Sequence, residues 1–166
     1  MAKYIANVSG SLQEVSGVAS SAGGTDAGKI VQLDGTGKLD ASMMPTGIGA
    51  DTKSVVTSEN LSIGNLVNIY DNSTVATARK ADCSTPLRCV GFVLSGTTSG
   101  ASALVYFEGT IPGQTGLTIG NPCYLTTAGA ITQTPPTTAG YILQEIGVAT
   151  SATEVSFEPQ MPIILA

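Results

Sequence analysis

A short stretch of this chain occurs twice. Leu61-Ser62-Ile63-Gly64-Asn65 is followed 56 residues later by Leu117-Thr118-Ile119-Gly120-Asn121. The same offset relates Val90-Gly91-Phe92-Val93 to Ile146-Gly147-Val148-Ala149. One spacing held over about thirty residues is the mark of a unit used twice. Phe107 and Phe157 also correspond, but at a distance of 50, so the second copy is six residues shorter. A surface loop around Thr97-Thr98-Ser99-Gly100 can absorb that difference without disturbing strands.

Within both copies the apolar residues recur with a period of two, the signature of half-buried strands. The strands expected in the first copy are Leu66 to Tyr70, Val75 to Arg79, Cys89 to Leu94 and Ala103 to Phe107. Those expected in the second are Cys123 to Leu125, Ala130 to Gln133, Gln144 to Thr150 and Glu154 to Phe157. Turn residues separate them, among them Asp71-Asn72-Ser73, Ser95-Gly96, Ala128-Gly129 and Pro135-Pro136. No segment has the length and period of a helix. The fold expected is all-β, a compact β-barrel or sandwich built from two duplicated β units, with an extended N-terminal arm. The chain divides on this reading into an arm with a short hairpin (1–50), a first unit (51–110), a second unit (111–160) and an apolar tail (161–166).

The arm is rich in Ser, Gly and Ala and has little to bury on its own. It is either ordered against a partner or frays as a terminus. Val31 and Leu33 alternate with Gln32, Asp34-Gly35 starts a turn, and Lys38-Leu39-Asp40 resumes, which reads as the hairpin. Pro45 ends it, and 46–50 read as a linker. The tail, Met161-Pro162-Ile163-Ile164-Leu165, is too apolar to dangle in water and is expected to lie against its own barrel or a neighbouring subunit.

Composition narrows the function. Charged residues make up only 11% of the 166 and the net charge is −5. A nucleic-acid groove needs clustered Lys and Arg, and only Arg79 and Lys80 adjoin among seven basic residues, so nucleic-acid binding is not expected. No apolar run approaches the roughly 20 residues of a membrane helix, and the N-terminus has neither a basic region nor an apolar run of signal length. A soluble protein with no membrane contact is expected. Three cysteines, an odd number, argue against a disulfide framework. Cys83, Cys89 and Cys123 read as small buried thiols.

Chemistry-bearing motifs fail one by one. Gly23-Gly24-Thr25-Asp26-Ala27-Gly28-Lys29 follows the phosphate-loop pattern, but Ile30 stands where a hydroxyl would meet magnesium, and neither a preceding strand nor a following helix is present. Asp34 to Asp40 loosely suggests a calcium loop, yet Lys38 and Leu39 occupy ligand positions. There is no histidine, which removes the usual general base and the nucleophile–base pairs. The carboxylates Glu59, Asp71, Asp82, Glu108, Glu145, Glu154 and Glu158 are scattered singly. No enzyme activity, metal or cofactor is expected.

A resemblance covers residues 27 to 158, about four fifths of the chain. Gly109-Thr110-Ile111-Pro112-Gly113, Leu117-Thr118-Ile119-Gly120-Asn121-Pro122, Tyr124-Leu125, Gly129-Ala130-Ile131-Thr132, Pro135-Pro136 and Gly147 to Glu154 resemble a β module of tailed-bacteriophage virion proteins, both capsid decoration proteins and fibres. Ala27 to Asp34 with Gly37 to Pro45 resembles a linker near the N-terminus of phage head and tail fibres. The resemblance implies a structural protein of the virion and a homotrimer. The chain is short for a shaft plus a receptor-binding head, which favours a decoration (cement) protein bound to the major capsid protein on the outside of the head. A short tail or baseplate fibre or adaptor acting in host attachment is the alternative. The residues expected to touch partners are Tyr4, Ile5, Val8 and Leu12 in the arm, Thr97 and Thr98 in the longer loop, and Ile163, Ile164 and Leu165 in the tail.

Overall fold

Two adjacent residues with positive φ decide the structure of the first segment. In the computed structural model, which describes residues 3–44 and 50–166, Ser9 (φ 53°) and Gly10 (φ 87°) form a two-residue turn. Strands twisted to the right are joined best by such turns. Here β1 (Lys3–Val8) and β2 (Ser11–Ser16) pair antiparallel, with Val8 opposite Ser11 and Lys3 opposite Ser16. The Asn7 side chain caps the turn by accepting the Gly10 N–H at 2.9 Å. The arm is therefore extended backbone, but doubled back on itself. The hairpin expected around Asp34 is a turn without a ladder. The Asp34 N–H donates to the Lys38 carbonyl, the Gly37 N–H donates to the Asp34 carbonyl, and Val31 meets Val18 in a single parallel bridge. Pro45 and most of the expected linker lie outside the described residues.

The chain divides into two compact units, Met1–Gly49 and Ala50–Ala166. The first contains β1, β2 and two one-turn 3-10 segments, and none of its described residues is buried. All of the buried core belongs to the second.

The second unit holds β3 (Thr52–Thr57), β4 (Leu66–Asn72), β5 (Val75–Lys80), β6 (Gly91–Val93), β7 (Ser102–Tyr106), β8 (Gly109–Ile111), β9 (Pro122–Leu125), β10 (Ile131–Thr132), β11 (Ile142–Leu143), β12 (Glu145–Ala149), β13 (Val155–Phe157) and β14 (Ile163–Ile164). Strands β3-β5-β4-β6-β7 close into a barrel, while β10-β9-β12-β13-β8 form an open five-stranded sheet and β11-β14 a small ribbon. All eight strands expected from periodicity are present. Reading the barrel from β5 gives β5-β4-β6-β7-β3. The open sheet runs β10-β9-β12-β13-β8, the same order for strands at corresponding positions in the sequence. The cross-strand pairs Val93–Val105 and Ala149–Val155 also correspond.

The seam explains why one sheet closes and the other does not. In the barrel, Val56 pairs with Thr77 in parallel, Ser58 donates to the Ala78 carbonyl, and Lys80 N–H donates to Glu59 Oε1 at 2.8 Å. At the offset of 56 these positions carry Pro112 for Val56, Thr115 for Glu59 and Pro136 for Lys80. A proline cannot donate to a ladder, so Pro136 has no N–H for the bond that Lys80 makes, and the Gln114 N–H, at the place of Ser58, donates to the Thr153 carbonyl instead.

Leaving that sheet open builds the second core. Val67 and Val93 line the barrel together with Val55, Ala78, Ala103 and Val105. Their counterparts Cys123 and Ala149 face instead a cluster containing Leu125, Ile146, Val155 and Phe157. That cluster is completed by residues of the first half of the unit, Leu66, Cys83, Cys89 and Phe92. The Phe92 ring stacks on Tyr106 (5.6 Å between centroids) and meets Phe157 edge-on (5.1 Å).

Candidate functional site

The described residues hold no arrangement of three or more His, Cys, Asp or Glu side chains able to grip a metal ion. The phosphate-loop look-alike folds as a single 3-10 turn, Gly23–Asp26. Its lysine is engaged internally: Lys29 Nζ donates to Asp26 Oδ1 at 2.7 Å, and Ala22 N–H donates to Asp26 Oδ2 at 2.6 Å. The Lys29 hydrogen bond, with that from Ala22, holds the Asp26 carboxyl below its ordinary range. In the calcium-like stretch Asp34 closes its own turn, accepting from the Lys38 N–H, the Thr36 hydroxyl and the Thr36 N–H, which lowers its pKa in the same way.

The thiols are free and buried. Burial disfavours the thiolate and pushes Cys89 up to about 12, with Cys83 and Cys123 raised for the same reason. Burial thus disfavours the reactive thiolate at all three, and each packs in the core of the second unit.

What the surface offers is apolar side chains on ordered backbone. In the β1–β2 hairpin, directly paired residues share a face. Tyr4, Ala6 and Val8 therefore lie on one face with Val15. The Ile30 N–H lies 3.5 Å from the Tyr4 hydroxyl as its donor. Ile5 and Leu12 lie on the other face, 67% and 79% exposed, beside the Lys3–Glu14 ion pair of 2.9 Å. The four expected arm residues are thus split between two faces.

The expected loop residues are held rather than loose. Thr97 exchanges both backbone hydrogen bonds with Leu61. The Thr98 carbonyl accepts the Ala101 N–H, and Ser99 bonds Asn60 and Ser58. Thr98 itself is exposed. In the tail, Ile163 and Ile164 pair with Leu143 and Ile142 through backbone, while the Leu165 N–H donates to Tyr141 and its carbonyl accepts from Gly140. The tail backbone is tied down within its own unit, and the Ile163 and Ile164 side chains stay exposed.

Sequence reasoning passed over Ile63 and Ile119, which are 56% and 66% exposed at matching positions of two turns. Their identity across the offset of 56 was a signal available in the sequence. It also passed over a shallow groove beside the β4–β5 turn, lined by Ile69, Tyr70, Asp71, Thr74 and Ala76. There the Arg79 guanidinium lies 4.2 Å from the Tyr70 ring centre and donates to Asn68 Oδ1.

No family model matches the chain, and no curated protein matches it. Among solved structures it is similar to the head fibre gp8.5 N base of bacteriophage phi29, at 12% identity and a TM-score of 0.44, over 66% of this chain and 95% of that one. A likeness at that score carries neither a shared fold nor a function across.

Proposed function

We propose that this chain is a structural protein of a tailed-phage virion, a decoration (cement) protein that binds the outside of the head as a homotrimer and braces the major capsid protein. The observation that carries this reading is the contrast between the two units. The second has a complete core, whereas the first has ordered strands and no buried described residue. A two-stranded hairpin is marginal in water on its own, and about forty residues without a core cannot offset their ordering entropy. The first unit has the properties of a segment completed by a partner. The virion-module resemblance of residues 27 to 158 supplies the kind of partner. Covering an exposed Ile or Leu contributes on the order of 1.5–3 kcal/mol, and many bound copies would multiply that gain across a capsid surface.

The test is binding of the full-length protein to heads that lack it, read by co-sedimentation. Replacing Ile5 and Leu12 together by Asp is expected to abolish binding and leave the melting temperature of the second unit unchanged. Undiminished binding would overturn the role given to the first unit. Counting copies per virion by mass spectrometry separates this reading from a tail or baseplate adaptor: hundreds for the head, around ten for the tail.

A further inference from the structure

We infer that the outer edge of β1 pairs antiparallel with β1 of a second copy of this chain, across a two-fold axis at Ile5, to give the strand order β2-β1-β1-β2. This rests on the reading above, in which a partner completes the first unit, and gives that unit a second partner, its own copy.

The Ser9–Gly10 turn is closed by Val8 and Ser11, which face each other. A two-residue turn is closed by a hydrogen-bonded pair, and along an antiparallel ladder bonded and non-bonded pairs alternate. Val8–Ser11, Ala6–Gln13 and Tyr4–Val15 therefore exchange bonds inside the hairpin. The N–H and C=O groups of Lys3, Ile5 and Asn7 point away from β2. None of these groups bonds another described residue, and all three residues are exposed. The β2 side differs. Two residues beyond it, the Val18 N–H donates to the Ile30 carbonyl at 3.0 Å and the Val18 carbonyl accepts the Gln32 N–H at 2.9 Å. Gly17 lies against the Gln32 side chain. The rest of the first unit attaches there, and β1 is the open side.

An unpaired edge is a template for another strand, and proteins blunt it with closure, short strands or proline. The second unit does so. Its barrel is closed, β10, β11 and β14 have two residues each, and β8 has three and runs into Pro112. By contrast, β1 has six residues in unbroken register and no proline. Its one charge, Lys3, is paired with Glu14.

The sequence of this edge selects the occupant. Turned end for end about Ile5, β1 meets itself with Ile5 opposite Ile5, Lys3 opposite Asn7 and Tyr4 opposite Ala6. Every outward N–H and C=O of Lys3, Ile5 and Asn7 then has a partner. No like charges face each other, and large Tyr4 lies across from small Ala6. The two Ile5 side chains, 67% exposed in one copy, cover each other. Pairing through the edge leaves Leu12 free to meet the capsid. A two-fold contact cannot close a trimer, so it ties arms of neighbouring trimers into a network.

The experiment is disulfide trapping of the full-length protein under mild oxidation, free in solution and on isolated heads that lack it. Facing residues of a bonded pair have Cα atoms about 5.5 Å apart, within disulfide reach. Ile5→Cys is expected to give dimers on a non-reducing gel. A mixture of Lys3→Cys and Asn7→Cys chains should do the same. Neither alone should, because in this register identical positions lie four residues apart, about 14 Å. If loss of the Asn7 cap unravels the hairpin, a mixture of Tyr4→Cys and Ala6→Cys chains reads the same register. Wild type, whose three thiols are buried, is the blank. Absence of an Ile5→Cys dimer in both settings overturns the inference, as do dimers that form equally in urea. Lys3→Cys or Asn7→Cys chains that trap alone as fully as when mixed indicate parallel arms and also overturn it. Dimers from a protein that does not bind heads remove the decoration reading and leave the pairing standing.

Discussion

The side chain of Gln144 pairs with the backbone of Cys89 as a neighbouring strand would. Cys89 N–H donates to Gln144 Oε1 at 2.7 Å, and Gln144 Nε2 donates to the Cys89 carbonyl at 2.9 Å and to the Gln160 carbonyl at 3.1 Å. Both residues are 2% exposed. The bonds join the two halves of the second unit where no ladder reaches, and no buried side-chain nitrogen or oxygen among the described residues lacks a partner. Buried peptide groups are costly to leave unpaired.

Gln144→Ala strands the Cys89 N–H and carbonyl together. A loss of about 2–4 kcal/mol is expected, since each unsatisfied buried group costs about 1–3 kcal/mol. Gln144→Glu at neutral pH loses at least as much, because a carboxylate can accept from Cys89 but cannot donate to either carbonyl. Urea denaturation midpoints check both. A Gln144→Ala variant within about 0.5 kcal/mol of wild type would mean that water replaces the amide.

The glycines of the second copy differ in what they tolerate. Gly120 has open space where a Cβ would stand, so Gly120→Ala carries only the left-handed backbone penalty of about 1–2 kcal/mol. Gly147 has φ 148° beside the Glu145/Gly147 bulge between β12 and β9, and a Cβ there would overlap the Ser156 carbonyl. Gly91, its counterpart, is less crowded, a Cβ there meeting the Val105 side chain at 2.6 Å and the Tyr106 carbonyl at 2.7 Å, and it is not among the residues with positive φ. Gly147→Ala is expected to cost more than about 3 kcal/mol, or to prevent folding, because backbone rather than a flexible side chain must move. Thermal melts of the two variants side by side check the ordering.

How far the structure was legible in the sequence follows from the range of the interactions involved. Strands such as β4, β6 and β12 declare themselves because each buries residues within a few positions of one another. The β1–β2 hairpin did not, because Ser9-Gly10 is a weak turn signal inside a Ser- and Gly-rich run, and Ile5 and Leu12 offer no buried face. β11 and β14 are two residues each and exist only through pairing between Ile142 and Ile164 and between Leu143 and Ile163. Closure of one sheet was written locally in Glu59, Pro112 and Pro136, yet its meaning depended on knowing that the strands face each other. The exposed residues of the candidate surface were harder still: nothing local distinguishes Ile63, which is exposed, from Leu61, which is buried.

The three thiols provide a probe of cooperativity. Thiolate is the reactive form, and burial pushes Cys89 up to about 12 and raises Cys83 and Cys123. At pH 8 the native protein is expected to react with a disulfide reagent at least about 100-fold more slowly than the unfolded chain, whose thiols have ordinary values near 8.5. In guanidinium all three cysteines should titrate at once. Rapid reaction of one thiol in the native state would reveal local opening around it.

Acid should loosen the joint between the two halves of the second unit at one carboxylate. Burial alone would raise the Asp82 pKa, but hydrogen bonds from the Ser84 hydroxyl and from the N–H groups of Ala128, Ser84 and Thr85 outweigh it and leave the group below its ordinary value. The Ala128 bond, 2.9 Å to Oδ2, crosses from one half to the other beside the Gly129 N–H bond to the Ala81 carbonyl at 2.7 Å. A group depressed in the folded state stabilises fully above its unfolded pKa, about 3.9 for Asp, and that stabilisation is lost as pH falls through the folded value. Wild type should therefore lose stability below about pH 4. Asp82→Asn should be less stable by about 1–2 kcal/mol at pH 7, because an amide nitrogen replaces one accepting oxygen. It should also lose less on acidification, since the titrating group is gone. Urea midpoints of both proteins between pH 7 and pH 2.5 provide the check. Parallel curves would show that Asp82 titrates alike in the folded and unfolded chains, contrary to the hydrogen bonding at the joint.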